Sequence, residues 1–294
     1  MEKGRLKKLI IPLILEQLLA VSVGVIDTFM VSKVGETAVA GVSLVDSINV
    51  LIIQVMTAFA AGGIVVISQY RGNDNKKMAL KSAAQLETII LSFTVIVMAV
   101  LLLFGNAILK GLFKGVEIDV MTAAKTYLAI SAISFVFWGV YTAGSAILRC
   151  NEDTKTPMKI SIVMNVMNAC LNAIFVFVFK WGVFGVAIAT LISRAVAGIT
   201  MKIIMMSDMN ALKVTSLKLY RLTGDIVKRI LAMAIPSGIE NGMFHVGKLI
   251  VAGMIAGLGT SAITANSISF QIIEFPNIPG NTIGLAMVVI IGQE

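Results

Sequence analysis

Apolar residues run through this chain in long blocks that polar residues interrupt only briefly. The blocks do not alternate as strands of a membrane barrel would. Eight of them are long enough to cross a bilayer, which takes about 20 apolar residues. Their limits fall near 9–32, 44–69, 84–106, 122–148, 158–180, 183–206, 229–257 and 262–292. Gly, Ala and Ser are frequent inside them, as close packing between helices in lipid requires. The pattern predicts an all-α polytopic membrane protein.

The first block is the most informative. Between Leu9 and Val31 it carries Glu16, Gln17 and Asp27. A central carboxylate costs roughly 2.5–3.5 kcal/mol on insertion scales, so an inert anchor would have no use for one. The block also returns later in the chain. A shift of 224 positions lays Ile11-Pro12 on Ile235-Pro236, Glu16 on Glu240, Gly35 on Gly259 and Gln69 on Gln293, without a gap. About a dozen identities over roughly 59 positions at one fixed spacing mark an internal repeat. Val251 stands opposite Asp27, so the acidic position belongs to the first copy alone.

The repeat predicts two related lobes. Residues 1–206 form a six-helix lobe, 207–228 a surface helix on the cytoplasmic face (or a plain linker), and 229–294 the first two helices of a second lobe. The first copy is followed by four more spans and the second by none, so the expectation is a C-terminally truncated fragment or an incomplete gene, inactive alone.

Charge supports the orientation. The chain has a net charge of +8 and a mean hydropathy of +0.93. The basic residues cluster before the first span (Lys3, Arg5, Lys7, Lys8) and in the connections after spans two, four and six, for example Arg71, Arg149 and Lys228. The alternate connections are poorer in Lys and Arg. The positive-inside rule then sets the amino terminus in the cytoplasm and makes the two lobes parallel repeats. It also accounts for the positive charge without nucleic acid. Cys150 and Cys170 have neither metal-ligand spacing nor a disulfide framework. No nucleotide-binding lysine motif or catalytic cluster is present, so an enzyme is not expected.

The remaining polar residues within spans are the candidates for chemistry. Asn165, Asn168 and Asn172 lie on span five, with Asn168 and Asn172 on one face. Thr190 and Arg194 lie four apart on span six. These amides and the hydroxyl could coordinate a cation through oxygen, or make ordinary interhelical hydrogen bonds worth about 0.6 kcal/mol each. Glu16 and Glu240 could face a cleft between the lobes and attract cations, or sit in cytoplasmic vestibules. Glu240, His245 and Lys248 form a polar set on span seven. Pro276 and Pro279 are expected to bend or break span eight. The 17 Met suit adaptable apolar ligands, or serve as core filler.

The stretches IPLILEQLLAVSVGVIDTFMVSKVGETAVAGVSLVDSI, GGIVVISQYRGN, AILRCNEDTKTPMKISIVMNVMNACLNAIFVF, GVFGVAIAT and IPSGIENGMF resemble the multidrug and toxic compound extrusion (MATE) family along nearly the whole chain. The resemblance implies twelve spans in two six-helix bundles around a central cleft. It implies a monomeric antiporter in the cell membrane that exports small organic cations in exchange for Na⁺ or H⁺, with membrane lipids as its surroundings and no cofactor. Asp27 then matches the acidic residue of the coupling-ion site, and Asn168, Asn172 and Thr190 match its polar partners, with Na⁺ as the expected ion. Glu16, Gln17, Glu240 and Arg194 are the substrate-cleft candidates. Family members often have an acid where Asn172 stands. A flippase for lipid-linked sugars, with Arg194 and Lys248 in a basic cleft, and a non-transporting scaffold are the alternatives.

Overall fold

In the computed structural model, described over residues 3–207, 219 and 223–291, eight long helices account for nearly all of those residues. They are α1 (Lys3–Ser32), α2 (Glu36–Gly72), α3 (Lys76–Leu112), α4 (Ile118–Cys150), α5 (Lys155–Ala173), α6 (Gly182–Met206), α7 (Gly224–Ala256) and α8 (Thr260–Ile291). A π-helical turn, Ile174–Val178, closes α5. Helices dominate because lipid offers the backbone no hydrogen-bond partner, and a helix satisfies nearly all of its own peptide groups. Among the described residues, α2, α3, α4, α5 with its π turn, and α6 are long and apolar enough to cross a membrane by length and composition.

Helix borders lie within about eight residues of the apolar blocks, because the helices continue past the hydrophobic edge. α7 starts at Gly224, inside the stretch assigned to the linker. Most of that linker, 208–218 and 220–222, lies outside the described residues. Pro276 and Pro279 do not break α8, which runs through both. The π turn was not expected, although such turns recur beside functional sites.

α4 packs along α6 and α2, and α5 lies between α1 and α6. The second copy packs back on the first reciprocally, α2 against α7 and α1 against α8. A two-fold relation between repeats requires that exchange. The turns agree. Gly35 before α2 and Gly259 before α8 both hold φ values that disfavour side chains, 138° and 108°.

Two glycines show how closely the helices approach. A Cβ on Gly198 of α6 would lie 2.6 Å from the Phe137 carbonyl oxygen of α4. A Cβ on Gly62 of α2 would lie 2.7 Å from the Ile230 carbonyl oxygen of α7. Arg71, at the end of α2, donates to the Cys150 carbonyl and the Asn151 side chain, tying two of the basic connections together at one end of the bundle. The apolar side chains of α3 and α6 that remain exposed, among them Ile96, Leu103 and Ile203, are suited to lipid.

Gly198→Val should separate α4 from α6 and cost about 1–3 kcal/mol, the usual penalty of overpacking. Gly242→Ala, whose Cβ meets nothing within 4 Å, should leave stability unchanged or slightly raised. Thermal unfolding of the two purified variants in detergent checks the contrast.

Candidate functional site

A belt of polar side chains lies inside the first lobe, toward the end opposite Arg71. α1 supplies Asp27, α2 supplies Asp46, α4 supplies Tyr127 and Ser134, α5 supplies Asn168 and Asn172, and α6 supplies Thr190 and Arg194. Asn168 and Asn172 are buried, Asn172 completely. They share a face because they are one helical turn apart. Asn172 Nδ2 donates to Asp27 Oδ1 at 2.7 Å and to Asn168 Oδ1 at 3.2 Å. Asn168 Nδ2 lies 3.4 Å from Thr190 Oγ1, which itself donates to the Val186 carbonyl.

This cluster contains a misfit. The amide end of Asn168 that faces Asp27 lies 3.1 and 2.8 Å from its two carboxylate oxygens. If that end is oxygen, two acceptors confront each other. If it is nitrogen, it donates to both oxygens but then meets Asn172 Nδ2, another donor, at 3.2 Å. Oxygen and nitrogen of an amide are told apart only by such partners. The nitrogen orientation gives an ionised Asp27 an amide donor on each oxygen, from Asn168 and from Asn172. Asn172 Oδ1 is buried without a hydrogen-bond partner. In the oxygen orientation a proton on Asp27 would remove the clash, because 2.8 Å is an ordinary O–H···O distance. A cation held among these oxygens would remove it too.

Asp46 and Arg194 adjoin the cluster. Asn49 donates to Asp46 Oδ1 at 3.2 Å. Tyr127 of α4 lies beside Asp46 and Thr190. Asp46 feels the charges of both Asp27 and Arg194. Arg194 donates to Ser134 Oγ at 2.9 Å and lies over the Trp138 ring at 5.1 Å. Its guanidinium is therefore held inside the lobe rather than offered to a cleft. Two carboxylates and one guanidinium leave the belt with a net charge of −1. Asp46, Tyr127 and Ser134 were missed in the sequence. An Asp three residues before an Asn near the start of a span was the available signal.

The other candidates separate. Glu16 is buried, and the cleft role expected of it does not fit its surroundings. Arg149 donates to its two oxygens at 2.9 and 3.1 Å, and the Tyr141 hydroxyl donates at 2.9 Å. Arg149 comes from the basic end of α4, which the pattern had assigned to a connection, and its reach to α1 was invisible in the sequence. Gln17 is half-buried. Glu240, the repeat mate of Glu16, is exposed, so the symmetric placement expected of the pair does not hold. Lys248 faces Glu274 of α8 at 3.7 Å and the rings of Phe244 and Phe270, so the polar set expected on span seven is drawn toward α8. Asn165 lies 3.4 Å from Ser161 on its own helix. No group of three or more metal-ligating side chains occurs among the described residues.

With this geometry in place, comparison with known proteins identifies the lineage. The MatE family model matches residues 12–174, more than half of the chain. The chain belongs to the MatE family. It is 29% identical to the uncharacterized transporter YisQ of Bacillus subtilis, covering 96% of this chain and 62% of that protein. It is 27% identical to the probable multidrug resistance protein NorM of Thermotoga maritima, over 99% of this chain and 63% of that protein. The chain thus spans a little under two thirds of these relatives. A MATE transporter of the MOP superfamily solved in an outward-facing conformation superposes with a TM-score of 0.85 at 20% identity, covering 98% of this chain and 65% of that one. A MOP superfamily transporter from Pyrococcus furiosus, described as having a binding pocket of reversed polarity, gives the same TM-score at 20% identity, over 98% of this chain and 64% of that one. The fold is therefore part of a MATE-type, two-lobe, twelve-helix architecture, and the protein is a multi-pass membrane protein.

Glu16→Gln should destabilise this MatE chain by about 3 kcal/mol, since it strands the buried Arg149 charge. Glu16→Gln combined with Arg149→Gln should recover most of that loss. Equal unfolding temperatures for the single variant and the unaltered chain would show that the pair contributes nothing.

Proposed function

We propose that this MatE chain carries the coupling site of a drug-exporting antiporter, with Asp27 as the residue that binds the coupling ion. The observation behind this reading is that amides, and no cation of the chain, meet Asp27. The buried carboxylates Glu16 and Glu87 each meet a cation from the chain itself, Glu16 with Arg149 and Glu87 with Lys202. Among the described residues Asp27 forms no ion pair. The net charge of −1 lets one monovalent cation neutralise the belt.

A proton is the first reading of that cation. A proton fits with no side chain moving. Na⁺ is the second reading, because the buried Asn172 Oδ1 and the Thr190 hydroxyl could complete an oxygen shell around it. Antiport follows if the ionised belt favours the state that holds an organic cation and the neutralised belt favours the state that has released it. The drug-resistance names of the relatives support an organic-cation substrate. A sugar-lipid flippase has less support, since Arg194 and Lys248 are both engaged inside the bundle.

We further propose that the loop-rich basic end is cytoplasmic, with 1–206 as the first lobe and α7 and α8 opening the second. The linker between them lies largely outside the described residues.

Asp27→Asn should abolish coupled efflux while the protein still inserts, because losing a charge eases insertion. Dye efflux is measured in vesicles from cells expressing the gene, under an imposed pH gradient and separately under a Na⁺ gradient. A response to the pH gradient is expected, and a response to Na⁺ alone would reassign the ion. Wild-type rates in Asp27→Asn under both gradients would remove Asp27 from the mechanism.

For orientation, Cys150 is a poor probe because it is buried. In a cysteine-free background, Lys33→Cys should react with an impermeant thiol reagent in intact cells. Asp74→Cys, in the exposed turn after α2, should react only after permeabilisation. The opposite pattern would invert the topology.

A further inference from the structure

Away from the Asp27 belt, a cavity of about 540 Å³ opens where the ends of α2 and α3 meet the start of α7. Its charged lining is one-sided. Lys81 enters from the second turn of α3, and Lys228 and Arg229 from the second turn of α7. Asp225 is the acidic residue in the lining, yet no carboxylate among the described residues lies within ion-pair distance of these three cations. Cations gathered without counter-charge around a concave surface build a positive potential.

The cavity is also organised. Arg229 donates to the Tyr70 hydroxyl at 3.1 Å, and its guanidinium lies 5.9 Å from the centre of that ring. One turn along α3 from Lys81, Gln85 accepts from the Thr223 backbone N–H at 2.9 Å and donates to the Leu219 carbonyl at 3.2 Å. That amide clamps the chain as it enters α7. Met78 and Ile226 supply an apolar wall.

We propose that this cavity binds a phosphate group, carried by an anionic phospholipid headgroup or by free phosphate. An arginine fork flanked by lysine point charges suits phosphate oxygens. The volume falls within the range of small-molecule sites, about 300–1,000 Å³, and exceeds what a bare phosphate fills. Basic pockets between helix ends on the cytoplasmic side are where anionic headgroups are held. The loop charges assign this end of the bundle to the cytoplasm, and the inference rests on that orientation for access to the inner leaflet only.

The placement carries a consequence. Tyr70 and Lys81 belong to the first repeat's half of the molecule, and Lys228 and Arg229 to the second. A bound phosphate therefore ties α2 and α3 to α7, beside the close approach of Gly62 to Ile230. It acts as a removable pin across the joint between lobes.

The test uses the purified chain in phosphatidylcholine nanodiscs, with and without phosphatidylglycerol, and separately with inorganic phosphate. Retained lipid is read by native mass spectrometry and binding by thermal shift. Removing Lys81, Lys228 and Arg229 together by substitution to Gln should weaken binding on the order of one hundredfold, at about fivefold per charge. Arg229→Gln alone should weaken it about fivefold, which keeps the test usable if the triple variant does not fold. Lys76→Gln, Lys77→Gln and Lys155→Gln combined remove the same charge from the same end outside the cavity, and should leave binding within about twofold. Lys81→Arg with Lys228→Arg should retain it. Competition by inorganic phosphate identifies free phosphate as a ligand, and undiminished lipid retention identifies the headgroup. Equal binding by the triple variant and the unaltered chain would overturn the site, as would an equal loss in the peripheral control.

Discussion

Charge neutralisation in a medium without water governs this structure. Lipid cannot solvate a carboxylate or a guanidinium, so each one buried in the bundle must be met by another part of the chain. Glu16 is met by Arg149 and Tyr141, Glu87 by Lys202, and Arg194 by Ser134, Trp138 and the charge of Asp46. These pairings run between helices remote in sequence, α1 with α4 and α3 with α6, so they also fix which helices can be neighbours. Removing one partner leaves a stranded charge, which costs far more than the pair itself contributes. Against that background Asp27 is the exception. Its neighbours are the amides of Asn168 and Asn172, and among the described residues it forms no ion pair.

The helices were legible in the sequence because their cause is local. A long apolar run in lipid has one stable backbone solution, and all eight spans fall where the runs fall. The repeat was legible for the same reason. The fixed shift that lays Gly35 on Gly259 reflects two turns with the same backbone conformation. Pro276 and Pro279 do not break α8, since proline removes a donor locally but neighbouring helices can re-satisfy the freed carbonyls. The linker's form was a weaker inference, because its polar and apolar residues fit a surface helix and a coil alike.

Long-range polar pairing was not legible. Nothing local to Glu16 indicates that Arg149 will reach it, and its symmetry with Glu240 pointed instead to a shared cleft. Asp46 lay near the start of the second apolar run and was not singled out. Arg194, whose charge offsets that of Asp46, was assigned to the cleft. The contacts among Asn168, Asn172 and Asp27 come only from the fold.

The Asp27 belt and the contact between the two repeats lie at opposite ends of the helices. An ion site must be shielded from water if a single charge is to bias the protein between states, since screening would otherwise dissipate it. The Asp27 belt is enclosed by five helices of one lobe. At the contact between the repeats, no buried ion pair of the Glu16 kind joins α2 to α7 among the described residues. At that end α2 and α7 meet through small residues at Gly62 and Ala234. Smooth backbone contact permits one helix to slide or rock on another without losing an ion pair. Of the charges near the joint, Arg229 donates to the Tyr70 hydroxyl, and Lys81, Lys228 and Arg229 form no ion pair among the described residues. Buried ion pairs therefore cross-link the helices of the first lobe, while its contact with the second repeat rests on close backbone packing beside a basic surface.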